Sequence, residues 1–167
     1  GLGFSHRRVT VSTVGIPRVM ETFAHTQLAS LALSLHAPTQ TLRRQIMPKA
    51  ASMFPLPDLV RTLQSLPLKP RQRITIEYLL LGGVNDGLEQ ARELNRLLSK
   101  LKCKINLISF NPASGLPYCA PEQLNVLAFQ QFLQSKGQTV TLRKSKGQDI
   151  EAACGQLRSI KARDGAD

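Results

Sequence analysis

Cys154 is the residue of this sequence whose side chain and surroundings most suggest chemistry. It directly follows Ala152 and Ala153 and comes after a basic, glycine-containing stretch at 143–147. A cysteine in this setting has two interpretations. It is either a nucleophile, since the thiolate is the reactive form of the side chain, or a small buried residue that packs beside the two alanines. The residue alone leaves both interpretations open.

Polar residues also stand at the ends of three predicted strands. Ser12 ends the first strand, Ser34 and His36 end the second, and Asn111 ends the fourth. Ligands of parallel α/β folds bind at the carboxyl ends of the strands, so these side chains stand where a ligand could meet them. Each residue also has an ordinary explanation. A buried serine hydroxyl bonds to the backbone, and His36 and Asn111 both stand where the chain could turn.

The elements that must position these residues alternate between strands and helices. Apolar and branched residues predict five strands, at 8–13, 28–35, 73–80, 104–110 and 139–143. Helices are predicted over 39–46 and 55–66, and others are predicted to start at Pro17 and at an Asp86/Glu89 capping box. The last helix is predicted to start at Pro121 and to end at Gly137. This alternation predicts a parallel sheet with right-handed crossovers in a single domain over 1–167. A complete eightfold barrel takes about 250 residues, so the chain can form only part of one.

Two segments have more than one interpretation. Glu77 is a charged residue within an otherwise apolar strand, so its carboxylate either points into the barrel and needs a partner there or faces water at an edge. The segment 84–87, Val-Asn-Asp-Gly, is most simply a turn that also caps the following helix.

The charge balance favours a polyanionic partner. Lysine and arginine total 22 against 11 aspartate and glutamate, which gives a net charge of +11. Each basic group alone is typical of a solvated face, but together they fit salt-sensitive contacts to phosphates. The few aromatic residues give little support for base stacking on single strands. The basic groups are Arg7–Arg8, Arg43–Arg44, Lys69–Arg73, Lys100–Lys104, Arg143–Lys146 and Arg158–Arg163.

The cysteines argue against disulfide and zinc frameworks. Cys103, Cys119 and Cys154 are odd in number and form no closely spaced pair, so a reducing compartment is expected and a zinc site with His36 is disfavoured. No apolar run reaches the roughly 20 residues of a membrane span. These features predict a soluble, intracellular protein. The chain opens on Gly1 and runs almost directly into a strand, which suggests a fragment or a processed product.

Four segments, in this order along the chain, resemble the RlmN/Cfr-type radical-SAM RNA methyltransferases. They are Val9–Thr13, Leu33–Pro38, Lys104–Pro112 and the cysteine segment Asp149–Leu157. The resemblance implies an α/β fold, the C-terminal part of a partial (βα)6 TIM-like barrel with parallel strands, over one partial radical-SAM core domain. It also implies the methyl-carrying role for Cys154 and contacts to S-adenosylmethionine from Ser12, the Ser34-Leu35-His36 segment and Asn111.

The mechanism implied by the resemblance uses the cofactor twice. One S-adenosylmethionine methylates the Cys154 thiolate. A second is cleaved at a 4Fe-4S cluster to a 5′-deoxyadenosyl radical, which takes a hydrogen from that methyl group, and the carbon radical then adds to an adenine of RNA. Sulfur is required, because a thiolate attacks a sulfonium readily and sulfur stabilises the adjacent radical. Cys103 is then expected to be a core residue and Cys119 incidental.

Several family motifs are absent from the sequence. There is no Cys-x-x-x-Cys-x-x-Cys cluster motif, no Gly-Glu-Pro and no second, resolving cysteine. After Arg43-Arg44 the chain continues as Met47-Pro48-Lys49-Ala50, where the family usually has Pro-Ile-Asn. The chain alone is therefore expected to bind no metal and to be inactive.

The resemblance implies a methyltransferase that modifies C2 of an adenine in 23S rRNA, with tRNA as a second candidate substrate. It implies a flavodoxin-like reductant, a monomer at full length, and a cytoplasmic location, with chloroplast and mitochondrion as alternatives. C2 against C8, and rRNA against tRNA, stay open. The other interpretation is a non-catalytic, basic RNA-binding or interaction remnant.

Overall fold

The computed structural model describes residues 10–26, 29–112 and 116–143. Strands and helices alternate along the described chain, with three helices between the second and third strands. The strands are β1 (Thr10–Thr13), β2 (Ser30–Ser34), β3 (Ile74–Leu80), β4 (Cys103–Ser109) and β5 (Val140–Arg143). The helices are α1 (Pro17–Thr26), α2 (Gln40–Ile46), α3 (Pro48–Met53), α4 (Leu56–Ser65), α5 (Leu88–Leu98) and α6 (Gln123–Ser135).

The five strands form one parallel sheet in the order β1-β2-β3-β4-β5. Each strand therefore lies beside its sequence neighbours, and every connection crosses over from the carboxyl end of one strand to the amino end of the next. This order is that of a barrel sheet, whereas a doubly wound sheet reverses its strand order part-way. The predicted α/β class, the five strands and their parallel direction are confirmed.

The two faces of the sheet differ in what covers them. Alternate residues of β2 to β5 face a large apolar core that α1, α4, α5 and α6 complete, with Met20, Leu63, Leu94 and Phe129 among its members. A smaller apolar cluster, around Ile46, Leu79 and Phe110, lies near the carboxyl ends of the strands and includes α2 and α3. Period-two alternation in the strands thus leaves the remaining residues on the face opposite the large core.

Three predicted helix boundaries are confirmed. Thr39 is the N-cap of α2, where its hydroxyl accepts a hydrogen bond from the Leu42 N–H. Gly137 follows the last residues of α6 with a φ of 80°, a left-handed conformation that glycine adopts without steric cost. Pro17 is the first residue of α1, as predicted.

Two predicted helix starts are wrong. The N-cap of α5 is Gly87, and the Asp86 carboxylate instead accepts a hydrogen bond from the Gly83 N–H, so Asp86 and Glu89 do not form a capping box. Glu89 pairs with Arg92. The last helix starts at Gln123, two residues after Pro121. Along the described part of the chain, none of the helices is long and apolar enough to cross a membrane.

Candidate functional site: a polar cluster at the carboxyl ends of the strands

Glu77 brings together the first two sequence-predicted site residues. Its Oε2 accepts hydrogen bonds from Ser12 Oγ at 3.1 Å and from Ser34 Oγ at 3.3 Å. Glu77 occupies the central strand β3, pairs in register with Ser34, and points to the sheet face opposite the large core, where it is half-buried. The carboxylate therefore lies on the inner face of the sheet, meaning the face opposite the large core, where it has two hydroxyl partners. We call Ser12, Ser34 and Glu77 the open cluster, since Ser12 is exposed and the other two are only half-buried.

A row of polar residues continues from the open cluster across the sheet. Ser34, Glu77, Asn106 and Thr141 are register partners on β2, β3, β4 and β5. The Thr141 hydroxyl donates to Asn106 Oδ1 at 3.1 Å, which leaves the Asn106 amide nitrogen as a donor. The signal for this row was the alternation in each strand, but the register that aligns the four residues cannot be read from the sequence.

His36 is held differently from the serines. Its side chain is 6% exposed, its φ is +57°, and its Nδ1 accepts a hydrogen bond from the Leu79 N–H at 3.0 Å. The ring is therefore neutral, with its proton on Nε2. Burial, and then the positive charge of Arg43, lower the pKa of His36 from 6.5 to about 4. The backbone of His36 is also engaged, since its N–H donates to the Glu77 carbonyl at 3.4 Å and its carbonyl accepts from the Asn85 amide, so Nε2–H is the group left to meet a ligand.

Asn85 completes the packing around His36. Its amide nitrogen donates to the His36 carbonyl at 2.8 Å and to the Leu79 carbonyl at 2.7 Å, and its Oδ1 accepts from the Leu81 N–H at 2.6 Å. Asn85 is fully buried. We call His36 and Asn85, with the backbone groups of Leu79 and Leu81 that they bond, the buried network. The predicted turn at 84–87 is thus also the link between the ends of β2 and β3.

Arg43 is a structural residue that the sequence interpretation placed among the basic groups. It is fully buried, so it is unavailable to a phosphate, and its Nη1 and Nη2 donate to the Phe54 and Val14 carbonyls, each at 2.9 Å. The Val14 contact fixes the loop that follows Ser12. Gly15 in that loop has a φ of 108°, and a Cβ there would lie 2.4 Å from the Leu59 side chain. The sequence signal for the burial of Arg43 is its spacing of three and four residues from Ile46 and Met47, both of which are buried, because residues so spaced share one face of a helix.

The described cysteines are unlike one another. Cys103 is 3% exposed at the start of β4, and burial raises the pKa of its thiol to about 11, so it is an unreactive core residue as predicted. Cys119 is exposed. Within the described ranges, no three side chains of histidine, cysteine, aspartate or glutamate are grouped so that they could hold a metal ion.

The other sequence-predicted site residues have different outcomes. Leu35 is buried in the large core, so its side chain is a packing residue, and its backbone N–H donates to the Glu77 carbonyl at 3.0 Å. Asn111 lies two residues beyond the end of β4, at the same edge of the sheet as Ser12 and Ser34, and is half-buried. Cys154 lies outside the described residues.

Comparison with known proteins shows which proteins this chain resembles. The chain is 58% identical over 165 residues to the dual-specificity RNA methyltransferase RlmN of Nitratidesulfovibrio vulgaris strain DP4, which covers 99% of this chain and 45% of that protein. It is 60% identical over 159 residues to the RlmN of Solidesulfovibrio magneticus, which covers 95% of this chain and 45% of the relative. The chain is similar to RlmN proteins over nearly its whole length. It spans less than half the length of these RlmN relatives, and no protein-family model matches it.

Solved structures show a similar relation. A radical SAM methyltransferase from Sphaerobacter thermophilus superimposes with a TM-score of 0.83 at 39% identity, covering 93% of this chain and 46% of that one. A domain of pyruvate-formate lyase-activating enzyme from Bacteroides vulgatus matches with a TM-score of 0.60 over 80% of each chain. At 15% identity the second likeness shows the fold alone. The predicted relation to radical-SAM methyltransferases is confirmed, and the fold is that of part of these enzymes.

The residues present fit one of the two groups that the similarity to radical-SAM methyltransferases implies. S-adenosylmethionine carries ribose hydroxyls, and the open cluster offers hydroxyl and carboxylate oxygens beside the carboxyl ends of the strands. A 4Fe-4S cluster needs several thiolates close together. Cys103 is buried on the large-core side of β4, and the sequence has only two other cysteines, at 119 and 154. This chain therefore fits the cofactor and supplies no ligand set for the cluster.

Proposed function

We propose that this chain is the cofactor-binding and methyl-transferring part of an S-adenosylmethionine-dependent RNA methyltransferase that modifies C2 of an adenine in 23S rRNA. The observation that carries the proposal is the 58–60% identity to RlmN proteins over nearly the whole chain. Their name, dual-specificity RNA methyltransferase, supports a second RNA substrate, for which tRNA is our candidate. Activity would reside in the bacterial cytoplasm, where both RNAs are found.

Four residues would hold the cofactor. Ser12 and Ser34 would bond its ribose through their hydroxyls, Asn111 would bond its polar edge through the side-chain amide, and the backbone near His36 would line the same edge of the sheet. When bound, S-adenosylmethionine supplies a methyl group on a positively charged sulfur and, after reductive cleavage, a carbon radical. The side chain of His36 would act mainly by holding its loop, because Leu79 already occupies its Nδ1.

Cys154 would carry the methyl group between the cofactor and the RNA. Its thiolate would take the methyl group, and the resulting thioether carbon would be transferred to the adenine. Neither of the other cysteines suits this role. Cys103 is buried with a raised pKa, and Cys119 lies outside the family-like segment at 149–157.

The iron-sulfur cluster would have to be held by residues outside this sequence. The relatives are more than twice as long as the matched region, which leaves room for such a segment. A flavodoxin-like protein is the partner we propose for reducing the cluster. No catalytic step of that part can be assigned to a residue of this chain.

The RNA would be held mainly through its phosphates. The chain has a net charge of +11, and its exposed basic residues include Arg44, Lys49, Lys102 and Lys104. Contacts of this kind weaken steeply as salt rises. A basic surface alone would also serve a non-catalytic RNA-binding protein, so the product of the reaction must decide.

The test is a product assay with the complete polypeptide that contains this sequence. It is reconstituted anaerobically with iron, sulfide, a reductant and S-adenosylmethionine, and given a 23S rRNA transcript or tRNA. Nucleoside mass spectrometry should detect 2-methyladenosine, and Cys154→Ala should abolish it while Cys119→Ala should not. RNA binding without any methylated adenosine would refute the proposal and support the RNA-binding alternative. If 8-methyladenosine were the only methylated product, the C2 assignment would be refuted.

A further inference from the structure

One carboxylate oxygen receives both serine hydroxyls of the open cluster. Ser12 Oγ and Ser34 Oγ lie 3.1 and 3.3 Å from the same Oε2 of Glu77, although they come from different strands. An ionised carboxylate can only accept hydrogen bonds, so each serine must be the donor. Hydrogen bonds to a charged acceptor are stronger than neutral ones, so both hydroxyl protons stay directed at Oε2 of Glu77.

This arrangement determines what the serines can offer a ligand. A serine hydroxyl has one proton and two lone pairs, and here the proton is already used. Both oxygens therefore face a ligand as acceptors only. Because they are bonded to one common atom, they are also close neighbours, so the matching ligand group has two donors side by side.

We propose that Glu77 is a positioning residue that makes Ser12 and Ser34 a paired acceptor for the vicinal 2′- and 3′-hydroxyls of the cofactor ribose. The inference rests on the proposed function and deepens it. Glu77 would not touch the cofactor itself, but would orient the two serines that recognise the ribose. The placement supports it. Ser12 is exposed and Ser34 half-buried, so lone pairs on both oxygens can be reached.

The proposal distinguishes Glu77 from a residue that merely stabilises the sheet. A structural role would change the affinity for every cofactor analogue alike. A role in orienting the serines affects only ligands that have ribose hydroxyls to donate. The discriminating quantity is thus the ratio of affinities for a ribose-containing and a dideoxyribose-containing ligand.

The test uses the complete polypeptide and isothermal titration with S-adenosylhomocysteine and its 2′,3′-dideoxy analogue, so no turnover is involved. We expect Glu77→Gln to raise the Kd for S-adenosylhomocysteine about tenfold, as for loss of a charge-assisted bond, and the Kd for the dideoxy analogue less than about twofold. Glu93→Gln is the matched control, a half-buried glutamate on α5, and should change neither Kd. Equal weakening of both ligands, or of neither, by Glu77→Gln would overturn the proposal.

A second variant keeps the proposal testable if Glu77→Gln does not fold. The double variant Ser12→Ala/Ser34→Ala should bind the two ligands with nearly equal affinity, and unchanged discrimination would overturn the proposal. The two levels of inference fail separately. A wild-type protein that binds no S-adenosylhomocysteine refutes the proposed function and the role of Glu77 with it, whereas a wild-type protein that binds and methylates while Glu77→Gln does both equally well refutes the role of Glu77 alone.

Discussion

The open cluster and the buried network lie at the same edge of the sheet and use similar polar groups, yet they differ in how far those groups are satisfied. In the buried network, the side-chain amide of Asn85 makes three hydrogen bonds to backbone groups, and His36 accepts a fourth through Nδ1. In the open cluster, two hydroxyls share one carboxylate oxygen and remain accessible. The first arrangement holds the ends of β2 and β3 together, and the second keeps acceptors for a ligand.

The difference teaches how to separate binding residues from supporting ones within a single motif. Ser34 and His36 stand two residues apart, but Ser34 is half-buried on the inner face and His36 is buried with its backbone in the left-handed region. A buried polar group without a partner is costly, and in the buried network the side-chain amide of Asn85 and Nδ1 of His36 all have backbone partners. Substitutions in the buried network should therefore mainly lower stability, and substitutions in the open cluster should mainly lower cofactor affinity.

The largest expected effect is on stability, from Asn85→Ala. Removal of the amide leaves the Leu81 N–H and two carbonyls buried without partners, which should lower the free energy of unfolding by about 4 kcal/mol. Urea unfolding of the complete polypeptide, followed by circular dichroism, measures this loss. Asn95→Ala is the control, since Asn95 is half-buried on α5 and accepts one bond from Gln138, and it should cost less than about 1 kcal/mol. Equal losses in the two variants would remove the distinction between the regions.

The next effect is the pH dependence that His36 gives to stability. Because folding lowers the pKa of His36 from 6.5 to about 4, the unfolded chain binds the proton more readily between these values. The His36 contribution is thus fully present above pH 6.5 and decreases as the pH falls, with a loss of about 3 kcal/mol by pH 4. Urea midpoints measured from pH 7 to pH 4 should fall more steeply for the wild type than for His36→Asn.

His36→Asn is a suitable replacement because asparagine tolerates a positive φ and keeps an acceptor for the Leu79 N–H. The matched control is His25→Asn, at an exposed position near the end of α1, which should leave the slope of the wild type unchanged. If His36→Asn had the same pH dependence as the wild type, the histidine would not be buried in its neutral form.

The smallest effect is expected from Ser34→Ala, and it should appear in binding rather than in folding. The Kd for S-adenosylhomocysteine should rise about fivefold to tenfold, as for loss of one hydrogen bond, while the free energy of unfolding changes by less than about 1 kcal/mol. Ser30→Ala is the control, because Ser30 lies on the same face at the amino end of the same strand. A stability loss as large as that of Asn85→Ala, with unchanged affinity, would place Ser34 in the buried network instead.

Local sequence patterns predicted the order of the described elements except for α3 (Pro48–Met53), where no helix was expected. Branched and apolar runs gave all five strands, and Thr39 and Gly137 marked real helix ends, because these signals depend on contacts within a few residues. The prediction of a capping box at Asp86 was wrong because a local pattern does not say which N–H group a carboxylate will bond. A carboxylate near a helix start can bond other N–H groups, and here Gly83 is the one it reaches.

The composition of the site depended on contacts that no local pattern encodes. The role of Glu77 was left open between two environments, since its partners lie 65 and 43 residues away in sequence. Arg43 was counted with the basic surface, because the carbonyls that hold it, of Val14 and Phe54, are brought there only by folding. The resemblance located Ser12, Ser34 and His36, but only the structure separates their roles.

The claim that this chain carries the methyl-transferring residue is tested most directly by peptide mass spectrometry of the complete polypeptide. After anaerobic reconstitution and incubation with S-adenosylmethionine carrying a deuterated methyl group, the peptide with Cys154 should gain one labelled one-carbon unit. The peptides with Cys103, which is buried, and Cys119, which is exposed, should gain none. Label on Cys119 or on no cysteine, in a preparation that methylates RNA, would contradict the account and return Cys154 to the role of a packing residue.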